Sequence, residues 1–269
     1  MSYKLGFLGV GVMAGGILTS LLDCKSKFID GSEIIVFDTD ASKMSKFVNY
    51  GITIAPSIDF LFKNSNILLI GIKPQNFRDL KNDLNFENHP DYVLSIMAGV
   101  KIESLEKIFF NTKGFIRIMP NLPCLIGQGT IGFCEKKCPK EVISFSKDLL
   151  SNCGDVIEIS EDKFDVLTSI SGSGPAYIFY IAQAMINAGI KLGLSREDST
   201  ILTYDTLVGS ALYAKESKIP INELIEKVCS KGGTTIEAIN IFRDNNLAEI
   251  IYNGIEACKN KSKELSEKQ

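Results

Sequence analysis

Short apolar segments alternate with amphipathic segments between Lys4 and Ile159. The apolar segments are rich in Ile, Val and Leu without strict alternation, which predicts strands buried on both faces of a parallel sheet. The predicted strands are Lys4–Leu8, Glu33–Asp38, Ile67–Ile72, Tyr92–Ile96, Phe115–Met119, Thr130–Cys134 and Asp155–Ile159. Helical patterns lie between several of them, for example at Met13–Leu22, Ala41–Tyr50 and Lys140–Ser151. This order is typical of βαβ units.

The pattern changes at Lys163, after which we find helical periodicity and no convincing strand. The predicted helices are Lys163–Ile170, Pro175–Leu192, Arg196–Ser217, Ile221–Val228, Thr235–Arg243 and Leu247–Lys261. The charged tail after Asn260 is expected to fray. The change of pattern predicts two domains, residues 1–160 and residues 161–269.

Composition narrows the class of protein. The chain has 269 residues, 45% of them hydrophobic, and a net charge of -3. This balance argues against nucleic acid or an anionic membrane as a bulk partner. No apolar stretch approaches the roughly 20 residues that span a bilayer, and the N-terminus reads as a strand rather than a signal peptide.

Seven cysteines are scattered from Cys24 to Cys258, and none forms a Cys-x-x-Cys pair. An odd number without a pattern predicts reduced thiols and a cytoplasmic protein. Cys134 and Cys138 could suggest a metal clip, but no second ligand pair accompanies them, so no metal site is predicted.

A glycine motif follows the first predicted strand. Gly9-x-Gly11-x-x-Ala14 fits the dinucleotide fingerprint, in which the first glycine allows the turn and the second lets the backbone approach a pyrophosphate. The phosphates would lie at the positive end of the next helix. We therefore predict a Rossmann-type N-terminal domain that binds NAD(P)H, with Gly9, Gly11, Val12 and Met13 at the cofactor. The alternative is a tight turn without a ligand.

Asp38 closes the second predicted strand. A carboxylate there usually binds the adenine ribose hydroxyls and repels a 2′-phosphate, which favours NAD over NADP. Lys43 lies near enough in sequence to accept a 2′-phosphate, so the choice between the two cofactors stays open. The alternative interpretation is a solvated carboxylate at a strand end.

Several further stretches occur in a fixed order. They are Ile72-Lys73-Pro74-Gln75, Ser95-Ile96-Met97-Ala98-Gly99-Val100, Arg117-Ile118-Met119-Pro120-Asn121-Leu122-Pro123, Ser171-Gly172-Ser173-Gly174-Pro175-Ala176-Tyr177 and Gly232-Gly233-Thr234-Thr235. With the glycine motif they resemble the pyrroline-5-carboxylate reductase family, from about Leu5 to Asn253. Val12 departs from the family, which usually has a polar residue there.

The resemblance implies an α/β fold in which a Rossmann domain precedes an all-helical domain that dimerises. The expected assembly is a homodimer or a larger oligomer of dimers, with an active site shared between subunits. The implied reaction is the NAD(P)H-dependent reduction of a cyclic imine to L-proline. The implied nicotinamide contacts are Ile72, Lys73, Pro74, Ala98, Gly99 and Asn121. The implied carboxylate contacts are the backbone amides of Gly233, Thr234 and Thr235, and the Thr235 hydroxyl is the implied catalytic partner of the ring nitrogen.

The residues are compatible with this chemistry. A protonated imine accepts hydride readily, so the enzyme needs orientation and charge stabilisation rather than a strong acid. Two glycines before a helix expose amides that suit a carboxylate. Taken alone, the Gly-Gly-Thr-Thr run is more typical of an ordinary helix cap, and it is the other motifs that favour a substrate site.

Two other functions remain open at this stage. A 3-hydroxyacid dehydrogenase would need a base, and Lys191, four residues after Asn187, is the candidate; the Gly-Gly-Thr-Thr loop would then be unexplained. A non-catalytic NAD(P)H sensor would bind the cofactor without turnover.

Overall fold

The computed structural model describes residues 3–23, 29–83, 88–230 and 232–267. The chain forms two compact units, residues 1–173 with 258–269, and residues 174–257. The domain boundary predicted at 160/161 lies 13 residues before the division at Ser173/Gly174, and the last residues of the chain belong to the first unit. The 160/161 boundary stays a prediction.

The first unit is built on an eight-stranded sheet with the order β3-β2-β1-β4-β5-β6-β7-β8. Strands β1 to β6 are parallel, β7 is antiparallel to β6, and β8 is parallel to β7. The strands are β1 (Tyr3–Leu8), β2 (Ile34–Phe37), β3 (Thr53–Ile54), β4 (Ser65–Ile70), β5 (Tyr92–Ser95), β6 (Gly114–Met119), β7 (Gly129–Lys136) and β8 (Gly154–Glu158).

Helices connect the strands and continue beyond them. They are α1 (Val12–Asp23), α2 (Ala41–Ser45), α3 (Ile58–Asn64), α4 (Pro74–Asp83), α5 (Ile102–Ile108), α6 (Lys140–Ser151), α7 (Phe164–Leu167), α8 (Gly174–Lys191), α9 (Arg196–Ser217), α10 (Ile221–Val228), α11 (Thr234–Asp244) and α12 (Leu247–Glu267). One turn of π-helix, Thr168–Gly172, follows α7. In the described part of the chain, we find no helix with the length and apolarity that a bilayer crossing requires.

The parallel strands β1, β2, β4, β5 and β6 are mainly buried, as their apolar sequences predicted, whereas the edge strand β8 is largely exposed. Leu5 and Phe7 contribute to one core cluster, which also contains residues of α1 and α6. Leu8, Leu68 and Ile70 contribute to a second cluster, with residues of α3, α4 and α5. Alternate side chains of a strand point to opposite faces, so the helices cover the sheet from both sides.

The second unit is helical throughout its described residues. The first two helices, α8 and α9, approach closely at Gly189, where a Cβ would lie 2.7 Å from the Ser199 hydroxyl oxygen. The buried residues of this unit are few and lie at i, i+4 spacing: Ala182 and Ile186 on α8, Ser199 and Thr203 on α9. Most of its large apolar side chains are therefore exposed in the single chain.

One predicted helix was wrong in extent, one strand was not predicted, and one expected fraying was wrong. The helix predicted at Ala41–Tyr50 ends at Ser45 and continues as a 3₁₀ turn at Val48–Tyr50, where Tyr50 donates its amide hydrogen to the Phe47 carbonyl. Strand β3 has only two residues, too few for a detectable pattern. The tail after Asn260 is helical to Glu267 and Ser266 is buried, so the expected fraying is wrong as far as the described residues reach.

Candidate functional site

The glycine motif lies where the strand order of the sheet reverses. Strand β1 has β2 on one side and β4 on the other, which makes the gap beyond the ends of β1 and β4 the place where doubly wound folds bind nucleotides. Gly9 follows β1 with a φ of +83°, a conformation that glycine adopts without strain. A Cβ there would lie 2.9 Å from the Ile72 side chain, so the loops after β1 and β4 are in contact.

The start of α1 fits a phosphate group. A Cβ on Gly11 would meet nothing within 4 Å, so the backbone faces open space. Helix α1 begins directly afterwards at Val12 with no acidic residue in its first turn. Val12 is 75% exposed, and Met13 packs against the first core cluster. Gly11 and Val12 would therefore border a bound pyrophosphate, and Met13 would contribute its backbone.

Asp38 is tied to this loop. One of its carboxylate oxygens accepts a hydrogen bond from the Val10 amide at 2.9 Å, and the other accepts one from the Asp40 amide at 2.9 Å. Lys43 Nζ lies 3.5 Å from the latter oxygen. The side chain of Asp38 is only 8% exposed. Asp38 thus follows β2 directly and fastens the glycine loop to the end of that strand, and its contact with a ribose stays a prediction.

The other residues assigned to the cofactor follow the carboxyl ends of neighbouring strands. Ile72 and Lys73 follow β4, and Pro74 is the first residue of α4, where its fixed φ suits a helix start. Ala98 and Gly99 follow β5; Ala98 is exposed, while Gly99 is buried with a φ of +75°. These strands are parallel, so all these residues lie at one edge of the sheet with Gly9.

Asn121 follows β6 at the same edge, but its side chain is used inside the fold. Its amide oxygen accepts a hydrogen bond from the Thr130 amide at 3.0 Å, and its amide nitrogen donates to the Ser171 hydroxyl at 3.3 Å. Asn121 therefore links the sheet to the Ser-Gly-Ser-Gly segment. Its contact with nicotinamide stays a prediction.

An ion pair between a buried arginine and a half-buried glutamate lies beside these loops. Arg117 of β6 donates to Glu161 Oε1 at 3.0 Å, and the same oxygen accepts the Ile102 amide at 2.8 Å. The sequence motifs predicted no role for either side chain. A signal was present, because an arginine inside the apolar run Phe115-Ile116-Arg117-Ile118-Met119 must have a partner when buried.

The Gly-Gly-Thr-Thr loop lies in the second unit. Helix α11 begins at Thr234, and Gly233 is its N-cap without a side-chain capping bond. The Gly233 amide donates to the Ser230 carbonyl at 3.0 Å, so a carboxylate at that amide would share or replace this bond. Thr234 is exposed and Thr235 is half-buried. Helix amides in the first turn have no intrahelical acceptor, so those of Thr234 and Thr235 suit an anion.

Two of the described thiols are protonated because they are buried. Burial raises the pKa of Cys134 to about 12 and likewise that of Cys138, which keeps both protonated at neutral pH. The described residues contain no group of three or more His, Cys, Asp or Glu side chains that could hold a metal ion. All six described cysteines are free, and Cys24 lies outside the described residues.

Two family models match separate parts of the chain. The model for pyrroline-5-carboxylate reductase dimerisation matches residues 161–265, and the model for NADP oxidoreductase, coenzyme F420-dependent, matches residues 4–99. Among curated relatives, the pyrroline-5-carboxylate reductase of Aquifex aeolicus is 34% identical over 98% of both chains. That of Synechocystis sp. is 32% identical over 100% of both chains. The chain belongs to the pyrroline-5-carboxylate reductase family.

Solved structures of the family agree with the fold. The pyrroline carboxylate reductase of Plasmodium falciparum, determined with NADP bound, has a TM-score of 0.86 at 28% identity and covers 98% of both chains. The enzyme of Coxiella burnetii has a TM-score of 0.86 at 29% identity over 99% of both chains. The predicted fold class, a Rossmann-type domain followed by a helical dimerisation domain, is thereby confirmed.

The hydroxyacid dehydrogenase alternative gains nothing from the structure. The Asn187 side-chain oxygen accepts a hydrogen bond from the Gln183 amide at 3.0 Å on the exposed surface of α8. Lys191 lies in the exposed last turn of the same helix. Within the single chain, neither side chain is held in the desolvated cleft that a catalytic base normally occupies.

Proposed function

We propose that the protein reduces pyrroline-5-carboxylate to L-proline with NAD(P)H. The match to the A. aeolicus reductase along nearly the whole chain carries this proposal. The glycine loop, the open space at Gly11 and the acid-free start of α1 fit a dinucleotide. A reduced nicotinamide, when bound, supplies the hydride that the imine carbon needs.

The residues of the chain supply binding and orientation. We propose that Gly9, Gly11, Val12 and Met13 hold the pyrophosphate and Asp38 the ribose, while Ile72, Lys73, Pro74, Ala98, Gly99 and Asn121 surround the nicotinamide. The substrate carboxylate would bind at the start of α11 through the amides of Thr234 and Thr235, with that of Gly233 joining if it leaves Ser230. The Thr235 hydroxyl would hydrogen-bond the ring nitrogen.

We further propose that the working form is a homodimer or a larger oligomer of dimers. The dimerisation model covers the helical half, and the large apolar side chains exposed on α8 and α9 need a partner surface. A cytoplasmic location is the proposed compartment, supported by the scattered, odd number of cysteines.

In the deciding experiment, the purified protein is mixed with pyrroline-5-carboxylate, and NADH and NADPH are tested in parallel. We expect the absorbance of the reduced nicotinamide to fall, and the amount of proline formed to equal the amount of cofactor oxidised. Cofactor binding without any turnover would instead identify the sensor alternative. If the protein oxidises 3-hydroxyacids with NAD(P)⁺ and does not reduce the imine, it is the dehydrogenase alternative.

A further inference from the structure

We propose that Glu161 is a positioning residue for the nicotinamide end of the site, holding the start of α5 and strand β6 together through one carboxylate oxygen. The inference rests on the proposed function for its catalytic readout. Its structural basis lies entirely within the first compact unit.

The first contact of Glu161 completes a helix. Ile102 is the first residue of α5, and the N-cap residue, Lys101, makes no side-chain capping bond. Glu161 Oε1 accepts the Ile102 amide at 2.8 Å from 59 residues away. A carboxylate at a helix N-terminus both accepts a free amide and complements the helix dipole. Glu161 therefore replaces the local cap that α5 lacks.

The second contact neutralises a buried cation. The Arg117 side chain is 5% exposed, and its guanidinium carbon lies 4.5 Å from the centre of the Phe164 ring. Its Nη1 donates to the same Glu161 oxygen at 3.0 Å. A buried guanidinium that loses its carboxylate is strongly unfavourable, so the pair holds both partners in place.

These two contacts join the elements that flank the loops of the proposed site, α5 after the first loop and β6 before the second. Ile102 comes three residues after Gly99, and Arg117 comes four residues before Asn121. Asn121 is itself fixed to Thr130 and Ser171. Since hydride transfer depends on sub-ångström placement of the reacting atoms, a shift between the two loops would slow it.

Glu161→Gln tests the proposal, because it retains an oxygen for the Ile102 amide and removes the charge that faces Arg117. We expect kcat to fall by about ten-fold and the deuterium isotope effect from labelled cofactor to increase. We also expect weaker binding of NADPH or NADH, whichever the enzyme uses. Binding of the matching fragment without nicotinamide, 2′-phospho-ADP-ribose or ADP-ribose, should be unchanged.

Glu106→Gln is the matched control. Glu106 lies on α5, its side chain is 25% exposed against 32% for Glu161, and it pairs with Lys136 at 2.7 Å. We expect this variant to behave like the wild type.

Three outcomes would overturn the proposal. They are an equal loss of kcat in the two variants, equally weakened binding of the whole cofactor and of its fragment, and unchanged kinetics of Glu161→Gln. If Glu161→Gln does not fold, Glu161→Asp, which keeps the charge but shortens the side chain, decides by the same measurements. If the wild type does not turn over the imine, the proposed function fails, and the comparison of cofactor with fragment still tests Glu161.

Discussion

The Asp38 carboxylate accepts two backbone hydrogen bonds in the structure, and the same group is the predicted ligand of the adenine ribose. A carboxylate has about four acceptor positions, so both roles are compatible. Its charge would nevertheless oppose a 2′-phosphate, while Lys43, 3.5 Å away, reduces that opposition.

Asp38→Ser is therefore expected to change two quantities. The ratio of NADPH to NADH efficiency should rise by about ten-fold, since roughly 1.4 kcal/mol of repulsion is removed. Efficiency with NADH should fall, because the Val10 amide loses its acceptor. Steady-state kinetics with both cofactors measure both effects. Asp40→Ser is the control, because it removes a charge from the same loop and keeps an N-cap hydroxyl. An equal change of the efficiency ratio in this variant would mean that the total charge of the loop, and not Asp38, sets the cofactor preference.

Thr235→Ala is expected to lower kcat/KM for the imine by roughly ten- to a hundred-fold. The reason is the loss of a hydrogen bond to a partly charged nitrogen, worth about 1.5–3 kcal/mol. The Kd of the reduced cofactor should barely change, because the glycine motif lies in the other unit. Stopped-flow and titration measurements on the purified variant check both points.

Two neighbouring substitutions make the Thr235 result specific. Thr235→Ser keeps a hydroxyl and should recover most of the activity. Thr234→Ala should have a smaller effect, because only the backbone of Thr234 is proposed to bind. A Thr234→Ala variant more damaged than Thr235→Ala would show that the wrong threonine was assigned.

At the scale of elements, the helices whose starts are marked in the sequence were predicted well. Helices α6, α9 and α10 have the predicted bounds: Pro139 and Pro220 directly precede α6 and α10, and Ser195 caps α9. Strand β7 runs two residues beyond its predicted end, because polar Glu135 and Lys136 still pair with β6. Pairing of that kind depends on a neighbouring strand, which a local pattern does not contain.

Some features of the candidate site could likewise be predicted from the sequence, and others could not. The residues at strand ends follow from motif and order, because parallel strands bring their carboxyl ends to one edge. The partner of Arg117 does not follow, because Glu161 is 44 residues away in an unremarkable acidic segment. The bonds from Asn121 to Thr130 and Ser171 are likewise products of the tertiary fold.

The end of α12 is anchored rather than frayed, which leads to a stability prediction. Ser262 donates its hydroxyl hydrogen to an Asp165 carboxylate oxygen at 2.7 Å. Ser262→Ala should lower the free energy of unfolding of the first unit by about 1–2 kcal/mol. Denaturation followed at fixed protein concentration measures it. Ser151→Ala, whose hydroxyl bonds only the nearby Asp148 carbonyl, should cost less, and an equal cost would argue against anchoring.

At the scale of the whole molecule, the exposed apolar helices predict an assembly. Phe179 is 58% exposed and Tyr180 is 80% exposed on α8. Consecutive helical positions point about 100° apart, so a broad interface on this helix includes at least one of them. The double variant Phe179→Glu/Tyr180→Glu should dissociate and lose activity, since a charge in an apolar interface is unfavourable.

Sedimentation velocity distinguishes the outcomes of that substitution. The wild type should sediment at twice the 29.6 kDa chain mass or a multiple of it. Glu216→Gln, an exposed polar position on α9, should leave the assembly intact. An active wild-type monomer would rule out the dimer.

The first compact unit is discontinuous, since residues 258–267 of α12 belong to it together with residues 3–173. During translation, the ribosome makes the whole helical unit before it makes these residues. Asp165 of the nucleotide-binding half therefore lacks its Ser262 partner until α12 has been synthesised. An early stop codon in α12 would consequently damage the half of the protein that was made first.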